Sequence, residues 1–233
     1  MDVRLGFFSF TEITDPGAHR AYNEWHQLDH LPEQYVIPGI RYGERWVATP
    51  QCRAAWAVAG ELLAPAHYVT LYLMGEPVHE TLAAFGALAV DLHRADRFFE
   101  PRRACLAGPF EVAGRAAAPR VRVSASVVPT RPNRGVYVIV EEGAGPPAPG
   151  CLDALVAVPG VAGAWAFAAA PALAAPVTDP TEHRVTVAWL DEAPLEVARS
   201  LGELATDGTC FAGPLSFAGV FESISPWSWD WFD

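Results

Sequence analysis

The chain has 233 residues, 51% of them hydrophobic, with 16 Lys+Arg against 27 Asp+Glu and a formal net charge of −11. That length fills one large domain or two small ones, and the hydrophobic share excludes a disordered chain. The acidic balance argues against nucleic acid and anionic membrane surfaces as partners, since both need clustered positive charge, and favours partners that are neutral, cationic or small.

The first stretch, VRLGFFSF (3–10), reads as a strand from its aromatic content and length. No basic region leads into a long apolar run here, so no signal peptide is expected. A helical segment follows over 17–31, opened by Asp15-Pro16. GIRYGERWV (39–47) is a second strand after a Pro-Gly turn, and HYVTLYLM (67–74) a third. HETLAAFGALAVDLHRADRFF (79–99) is a helix, because Leu82, Phe85, Leu88, Ala89 and Leu92 recur at helical spacing; Pro101 stops it. CLAGPFEV (105–112) is a short fourth strand. The order is β-α-β-β-α-β, the split ferredoxin-like unit.

The order then repeats: RGVYVIVEE (134–142), a stunted helix in GCLDALVAV (150–158), VAGAWAF (161–167), HRVTVAWL (183–190), the helix PLEVARSLGELA (194–205) and CFAGPLSFAGV (210–220). Three stretches recur in the same order in both halves. IPGIRYGERW (37–46) matches VPGVAGAWAF (158–167), HYVTLYLM matches HRVTVAWL, and CLAGPF (105–110) matches CFAGPL (210–215). The division expected is a first unit over 1–116, a linker over 117–134, a second and degenerate unit over 135–223, and a Trp-rich tail over 224–233. Within the linker, RVRVSASVV (120–128) reads as an extension of an edge strand. A single unit leaves one sheet face uncovered, and two in tandem can cover each other. The expected fold class is therefore α+β: two tandem ferredoxin-like βαββαβ units forming a pseudo-dimeric α/β barrel.

CLDALVAVPGVAGAWAFAAAPALAAPV (151–177) carries a single charge, Asp153, and is long enough to span a bilayer. Its Pro and Gly residues and the lack of flanking basic residues make buried strand and loop the better reading. Cys52, Cys105, Cys151 and Cys210 are scattered without a Cys-x-x-Cys pair, which fits reduced thiols in a cytoplasmic protein.

Strand HYVTLYLM alternates Val69, Leu71, Leu73 with Tyr68, Thr70, Tyr72. The uniformly apolar set suits the helix-covered face, which places Tyr68 and Tyr72 towards the space between the sheets. In the second strand, Arg41, Gly43 and Arg45 correspond to Ala162, Ala164 and Ala166, while Tyr42, Glu44 and Trp46 correspond to Gly163, Trp165 and Phe167. Polar groups survive in the first copy only, so one site per chain is expected. Which face of that strand looks inward stays open.

The densest polar stretch is NEWHQLDHLPEQYVIPG (23–39). On a helix, Ala18, Ala21, Trp25 and Leu28 share a side and should meet the sheet, while Tyr22, His26, Asp29, His30 and Glu33 share another. His26 and His30 lie one turn apart. They could serve a metal with Glu33, but that coincidence of types is common on polar faces, and no metal site is expected. Acid–base chemistry asks less: histidine titrates near neutrality, and Asp29 can hold its tautomer or raise its pKa. Pro32 should kink or end the helix and let His30 turn inward.

Glu24-Trp25-x4-His30-Leu31-Pro32, followed by Ile37-Pro38-Gly39-Ile40-Arg41, resembles the first helix and second strand of EthD-like proteins of the dimeric α/β-barrel superfamily. The resemblance implies ferredoxin-like sheets closing a barrel, His30 as the active-site residue, and Trp25 anchoring the helix or bordering the pocket. The superfamily covers monooxygenases, isomerases, cyclases, dehydratases and haem enzymes, so the fold alone leaves the reaction open. His67, His79, His93 and His183 are the available axial ligands for haem; the equivalent places of His67 and His183 favour a structural role.

The function expected is a cofactor-independent enzyme acting on a small hydrophobic or aromatic, polyketide-like molecule. His30 moves a proton with Asp29 assisting. Trp25, His26, Tyr42, Trp46, Tyr68 and Tyr72 shape the pocket, and Arg45 meets a developing oxyanion. The rivals are a non-catalytic ligand-binding or assembly protein and a haem- or metal-dependent oxidoreductase; a homodimer is an allowed assembly. In the tail, Trp227, Trp229 and Trp231 alternate with polar residues. That suits an extended strand over a barrel end or a dimer interface.

Overall fold

The computed structural model describes residues 2–143, 145–170, 173, 183–211 and 213–232. β1 (Leu5–Ile13) leads to α1 (His19–Trp25), a wide helical turn (His26–His30), α2 (Leu31–Gln34), β2 (Ile40–Val47), α3 (Pro50–Ala54) and the two-residue β3 (Val58–Ala59). β4 (Tyr68–Met74), α4 (Val78–Arg94) and β5 (Arg102–Ala117) follow. The second half holds β6 (Gly135–Glu142), α5 (Cys151–Ala157), β7 (Val161–Ala169), β8 (His183–Leu190), α6 (Pro194–Thr206) and β9 (Leu215–Ser223).

Strands neighbour one another in the order β2-β4-β1-β5 in the first half and β7-β8-β6-β9 in the second. β5 pairs with β7, and β9 pairs with β2, so the sheet closes on itself. The fold is α+β, two ferredoxin-like βαββαβ units forming a pseudo-dimeric α/β barrel. Its two seams are unequal. The β5–β7 ladder runs from Phe110–Ala169 to Ala117–Gly163. The β2–β9 ladder holds only Trp46–Ser223 and Val47–Glu222, and β3 takes up more of the β9 edge through Val58–Ala218 and Ala59–Phe217.

The barrel interior is apolar and filled. Phe8, Phe10, Val69, Leu71 and Leu73 from the first half meet Val138, Trp165, Phe167, Val187 and Phe217 from the second, all buried. Each such side chain contributes about 1.5–3 kcal/mol through burial. This reverses the expected orientation of HYVTLYLM. Val69, Leu71 and Leu73 point into the barrel, where another apolar sheet faces them. Tyr68, Thr70 and Tyr72 point outward, beneath the helices. The most apolar face went to the sheet–sheet interface because that face has no solvent edge at all, whereas the helix-covered face leaves room for a cavity.

Two further expectations, on the linker and the tail, are corrected, and the one on the apolar stretch between them holds. RVRVSASVV forms no edge strand; a 3-10 segment occupies Ala125–Thr130, and Val128 packs into the barrel core. The apolar stretch 151–177 forms α5 and β7 as far as its described residues reach, and among the described residues no helix is long and apolar enough to cross a membrane; positions 171, 172 and 174–177 lie outside them. The tail is not an extended strand. Turns occur at 226–227 and 231–232, and Trp227 has φ 67°. Trp231 and Phe232 pack with Tyr22, Tyr68 and Ile13 on the outer face of the first half.

Candidate active site

Between the outer face of the first half-sheet and its helices lies a cavity of about 390 Å³, within the range of small-molecule sites. Its floor is made of outward residues of three adjacent strands: Ser9 and Thr11 of β1, Thr70 and Tyr72 of β4, Arg102 and Ala104 of β5. Ser, Thr and Ala there leave the volume open. Gly43 of β2 keeps the strand bare beside the floor, since a Cβ would come 2.8 Å from the Tyr72 ring.

One wall is the α1–α2 segment, which presents Tyr22, Trp25, His26, His30 and Gln34. The helix does not end at Pro32; it widens. The Leu31 amide donates to the carbonyl of His26, five residues back, and forms a π-type turn over His26–His30. Pro32 has no amide hydrogen to offer the carbonyl of Leu28, which removes the competing ordinary helical bond. The turn sets the His26 and His30 rings 5.3 Å apart. The expected helix face is reversed. Tyr22, Asn23 and His26 are buried against the sheet, while Leu28 is 47% exposed. The sheet beneath is polar at Ser9, Thr11 and Thr70, so the polar stripe of the helix found partners there.

The opposite wall is Phe85, Ala89 and His93 of α4 with Phe98, Phe99 and Glu100 beyond it. His30 is held as a plate. It stacks on Trp25 with ring centroids 4.5 Å apart and meets the edge of Phe98 at 5.9 Å. Trp25 is fixed in turn by donating Nε1–H to the Arg97 carbonyl at 2.8 Å.

The electrostatics are unusual. Burial pushes His30 down to about 3, and the Arg102 guanidinium adds to the shift, with the Asp29 charge opposing it and Arg45 adding less. His26 is lowered well below the usual imidazole range by burial, then by Arg45, His30 and Arg102. Both imidazoles are therefore neutral at physiological pH. Burial also lowers Arg102 and raises Tyr72. His26 Nδ1, His30 Nδ1, Gln34 Oε1, Tyr72 OH and Arg102 Nε are buried without a hydrogen-bond partner among the described residues. All five residues line the cavity. Orphaned buried polar atoms are rare, and five around one cavity mark a place where a ligand or water completes the bonding.

The structure brings together Trp25, His26, His30 and Tyr72 of the residues singled out in the sequence. Tyr68 and Arg45 lie behind this wall. Arg45 donates to Asn23 Oδ1 at 2.8 Å and lies over the Tyr22 and Tyr68 rings, and Asn23 Nδ2 donates to the Tyr68 hydroxyl at 2.8 Å. Asp29 faces outward, where Arg97 Nη2 bridges it and Glu33 at 2.7 Å each, so it reaches His30 only through space. Tyr42 and Trp46 are on the other side of the sheet. Tyr42 donates to Glu44, Trp46 donates to Asn133 Oδ1, and burial pushes Glu44 up to about 7. They belong to the barrel seam rather than to the cavity.

Arg102 and Gln34 carried no signal in the sequence reading. Arg102 lies in the gap left between the helix stop Pro101 and the strand read from Cys105, and Gln34 lies beyond the helix read over 17–31. Among the described residues no three His, Cys, Asp or Glu side chains gather to hold a metal. Of the four histidines weighed as axial ligands, only His93 borders the cavity, and it stacks on Phe98 at 3.8 Å.

No family model and no curated protein matches the chain. Solved structures do. One provisionally described as a chlorite dismutase superposes with a TM-score of 0.55 at 8% identity, covering 97% of this chain and 96% of that one. An anthrone oxidase-like protein superposes with a TM-score of 0.50 at 11% identity, covering 96% and 92%. At such identities the likeness is one of fold, the dimeric α/β barrel.

Proposed function

We propose that the chain is an EthD-like small-molecule enzyme in which His30 accepts a proton from a hydrophobic or aromatic substrate, at a carbon next to a carbonyl or at a phenol. The observation that carries this is the state of His30: a neutral imidazole, clamped by Trp25, with Nδ1 unpartnered in a cavity with aromatic walls.

The chemistry uses the chain's own groups. Gln34 Nε2 lies 3.5 Å from His30 Nε2, and Gln34 Oε1 has no partner. Amide oxygen and nitrogen exchange places on a half-turn, after which Oε1 accepts the Nε2 hydrogen. That selects the tautomer whose Nδ1 lone pair is free to take a proton. Arg102, rather than Arg45, is the cation beside the ring, and it would face the oxyanion left on the substrate. The imidazolium so formed is disfavoured by burial and by Arg102 until the oxyanion stands beside it, so the proton is held only while the intermediate exists. Asp29 tempers this through its charge without touching the ring. Trp25, Phe85 and Phe98 give flat apolar contact to an aromatic body. The reading places a polyketide-like phenol or ketone within reach.

Anthrone is a fitting probe, having an acidic methylene conjugated with a carbonyl. In deuterated buffer the protein should speed exchange of that methylene, followed by proton NMR, and His30→Gln should abolish the acceleration. Equal exchange with His30→Gln and wild type would sink the reading, and exchange no faster than buffer would favour a binder without turnover.

A further inference from the structure

The charges around the cavity do not sum to zero, and a proton transfer cannot correct them. Arg102 lines the cavity with a buried, unpartnered Nε, and its guanidinium carbon lies 4.3 Å over the Phe98 ring and 5.7 Å from the Trp25 ring centroid. Arg45 is 5% exposed behind Tyr22 and has one hydrogen bond, to the neutral amide of Asn23; its Nε and Nη1 are unpartnered. Neither guanidinium forms an ion pair among the described residues. The carboxylates nearby balance them weakly or are tied elsewhere: Glu100 acts on Arg102 through space only. Glu100, the one acidic residue lining the cavity among those described, has its side chain 76% exposed and pairs with His93. Asp29 and Glu33 are tied to Arg97 outside. His26 and His30 are neutral and add nothing.

Among the described residues these two guanidiniums, Arg45 buried and Arg102 half-buried, have no paired counter-charge, which is costly because burial removes the water that would otherwise screen them. Moving a proton from substrate to His30 creates one positive and one negative charge together, so the excess persists at every stage of the reaction proposed above. Only a ligand that arrives negatively charged removes it.

We infer that the molecule held in this cavity is an organic anion, an aromatic or polycyclic body carrying an ionised acid group that pairs with Arg102, with Arg45 reinforcing the field from behind Tyr22. The aromatic body lies against Trp25, Phe85 and Phe98. Ser9 and Thr11 on the floor share one hydrogen bond at 3.2 Å, which leaves one hydroxyl proton free for the same acid group. Guanidinium and carboxylate match as a planar, two-pronged pair, which orients the body relative to His30 as well as holding it. This inference rests on the cavity being the substrate site, but it concerns binding and needs no turnover.

The test uses 2-naphthoate and its neutral isostere 2-naphthamide, titrated into the full chain by calorimetry. Naphthoate should bind about 10- to 100-fold more tightly, the range of one charge-assisted pair. Arg102→Gln should remove that preference by weakening naphthoate at least tenfold more than naphthamide, and Arg102→Lys should restore part of it. Circular dichroism confirms that each variant is folded. Equal binding of the two probes, binding of neither, or loss of both probes together in Arg102→Gln would overturn the inference. Failure here with His30-dependent exchange intact would leave the proton-transfer reading standing. An anion preference with His30 inert would do the reverse.

Discussion

His30 lies face to face with Trp25, ring centroids 4.5 Å apart and planes 24° apart, and Trp25 is pinned by its 2.8 Å bond to the Arg97 carbonyl. The imidazole is thus oriented by an aromatic plate whose own place is set by backbone. Stacked aromatic contacts contribute about 0.5–1.5 kcal/mol beyond burial, and the indole bond about 1 kcal/mol. Trp25→Leu should keep the fold, lower unfolding stability by about 1–3 kcal/mol and slow His30-dependent exchange roughly tenfold. The His30 ring protons should shift in the NMR spectrum as the indole ring current is lost. An unchanged His30 spectrum would show that the plate does not orient it.

Acid should unfold the protein earlier than carboxylates would. The unfolded chain takes up protons on histidine near pH 6.5, but the folded His30 holds out to about 3 and His67 to about 4, both through burial first. These folded values are depressed, so stability is complete above about pH 6.5 and is lost as the pH falls from 6.5 towards 4 and 3. His30 alone should account for about 2 kcal/mol by pH 5. Urea midpoints between pH 7.5 and 5 measure the slope, and His30→Gln should flatten it.

Glu44 acts with the opposite sign. Its folded pKa is raised from 4.5 to about 7 by burial at the barrel seam, against the bonds from Asn133 and Tyr42 that lower it. A raised value gives stability that is complete below about pH 4.5 and is lost as the pH rises through 7. Glu44→Gln, which can still accept from Asn133, should be more stable than wild type at pH 8 by on the order of 2 kcal/mol and no different at pH 4.5. It should also steepen the acid limb set by the histidines. Equal stability at pH 8 would mean that Glu44 is solvated as an anion.

The architecture could be read from the chain because its signals are local and repeated. VRLGFFSF, HYVTLYLM and HRVTVAWL alternate over lengths that only strands use, and the duplicated order required a second sheet to cover the first. The faces were not readable. Alternation in HYVTLYLM shows that two faces differ, but both are buried here, so hydrophobicity could not say which one meets the helices. The same ambiguity hid the direction in which the histidine face points. Tyr22, His26 and His30 looked like the wet stripe of a helix, because a cavity with a polar floor attracts the same residue types as water does. β5 read as eight residues and has 16, because Arg102, Arg103 and Arg115 resembled loop residues. Arg103 reaches Glu12 on β1 at 2.6 Å, while Arg102 turns inward to the cavity.

Arg45 separates stability from function. It is buried, unpaired with any carboxylate among the described residues, and held by one amide oxygen and two aromatic faces. Removing such a charge relieves a desolvation of several kcal/mol, more than the about 1–3 kcal/mol for leaving Asn23 Oδ1 without its donor. Arg45→Met should therefore raise the thermal midpoint while weakening naphthoate binding. A fall in stability would show that the rings around Arg45 already compensate its desolvation.

The aromatic tail should matter through two of its residues and not through the most conspicuous one. Trp229 is 5% exposed and donates Nε1–H to Gln27 Oε1 at 2.6 Å, and Gln27 sits in the wide turn between His26 and His30. Phe232 stacks on His19 at 3.9 Å, and His19 Nδ1 lies 3.0 Å from the Tyr68 hydroxyl, which Asn23 links to Arg45. The tail is thus fastened both to the turn that carries the histidines and to the network behind it. Trp227, by contrast, is 70% exposed. Trp227→Ala should change stability by less than about 0.5 kcal/mol. Trp229→Phe keeps the ring but strands the Gln27 oxygen, which should cost about 1 kcal/mol. Ending the chain after Ser225 uncovers His19 and Tyr68 as well, and should cost more than either substitution. Amide hydrogen exchange across residues 19–34 is the decisive measurement. It should quicken in the truncated chain and in Trp229→Phe while α6, on the far half of the barrel, stays protected. Uniform loss of protection in both halves would mean that the tail supports the whole barrel instead of the histidine turn.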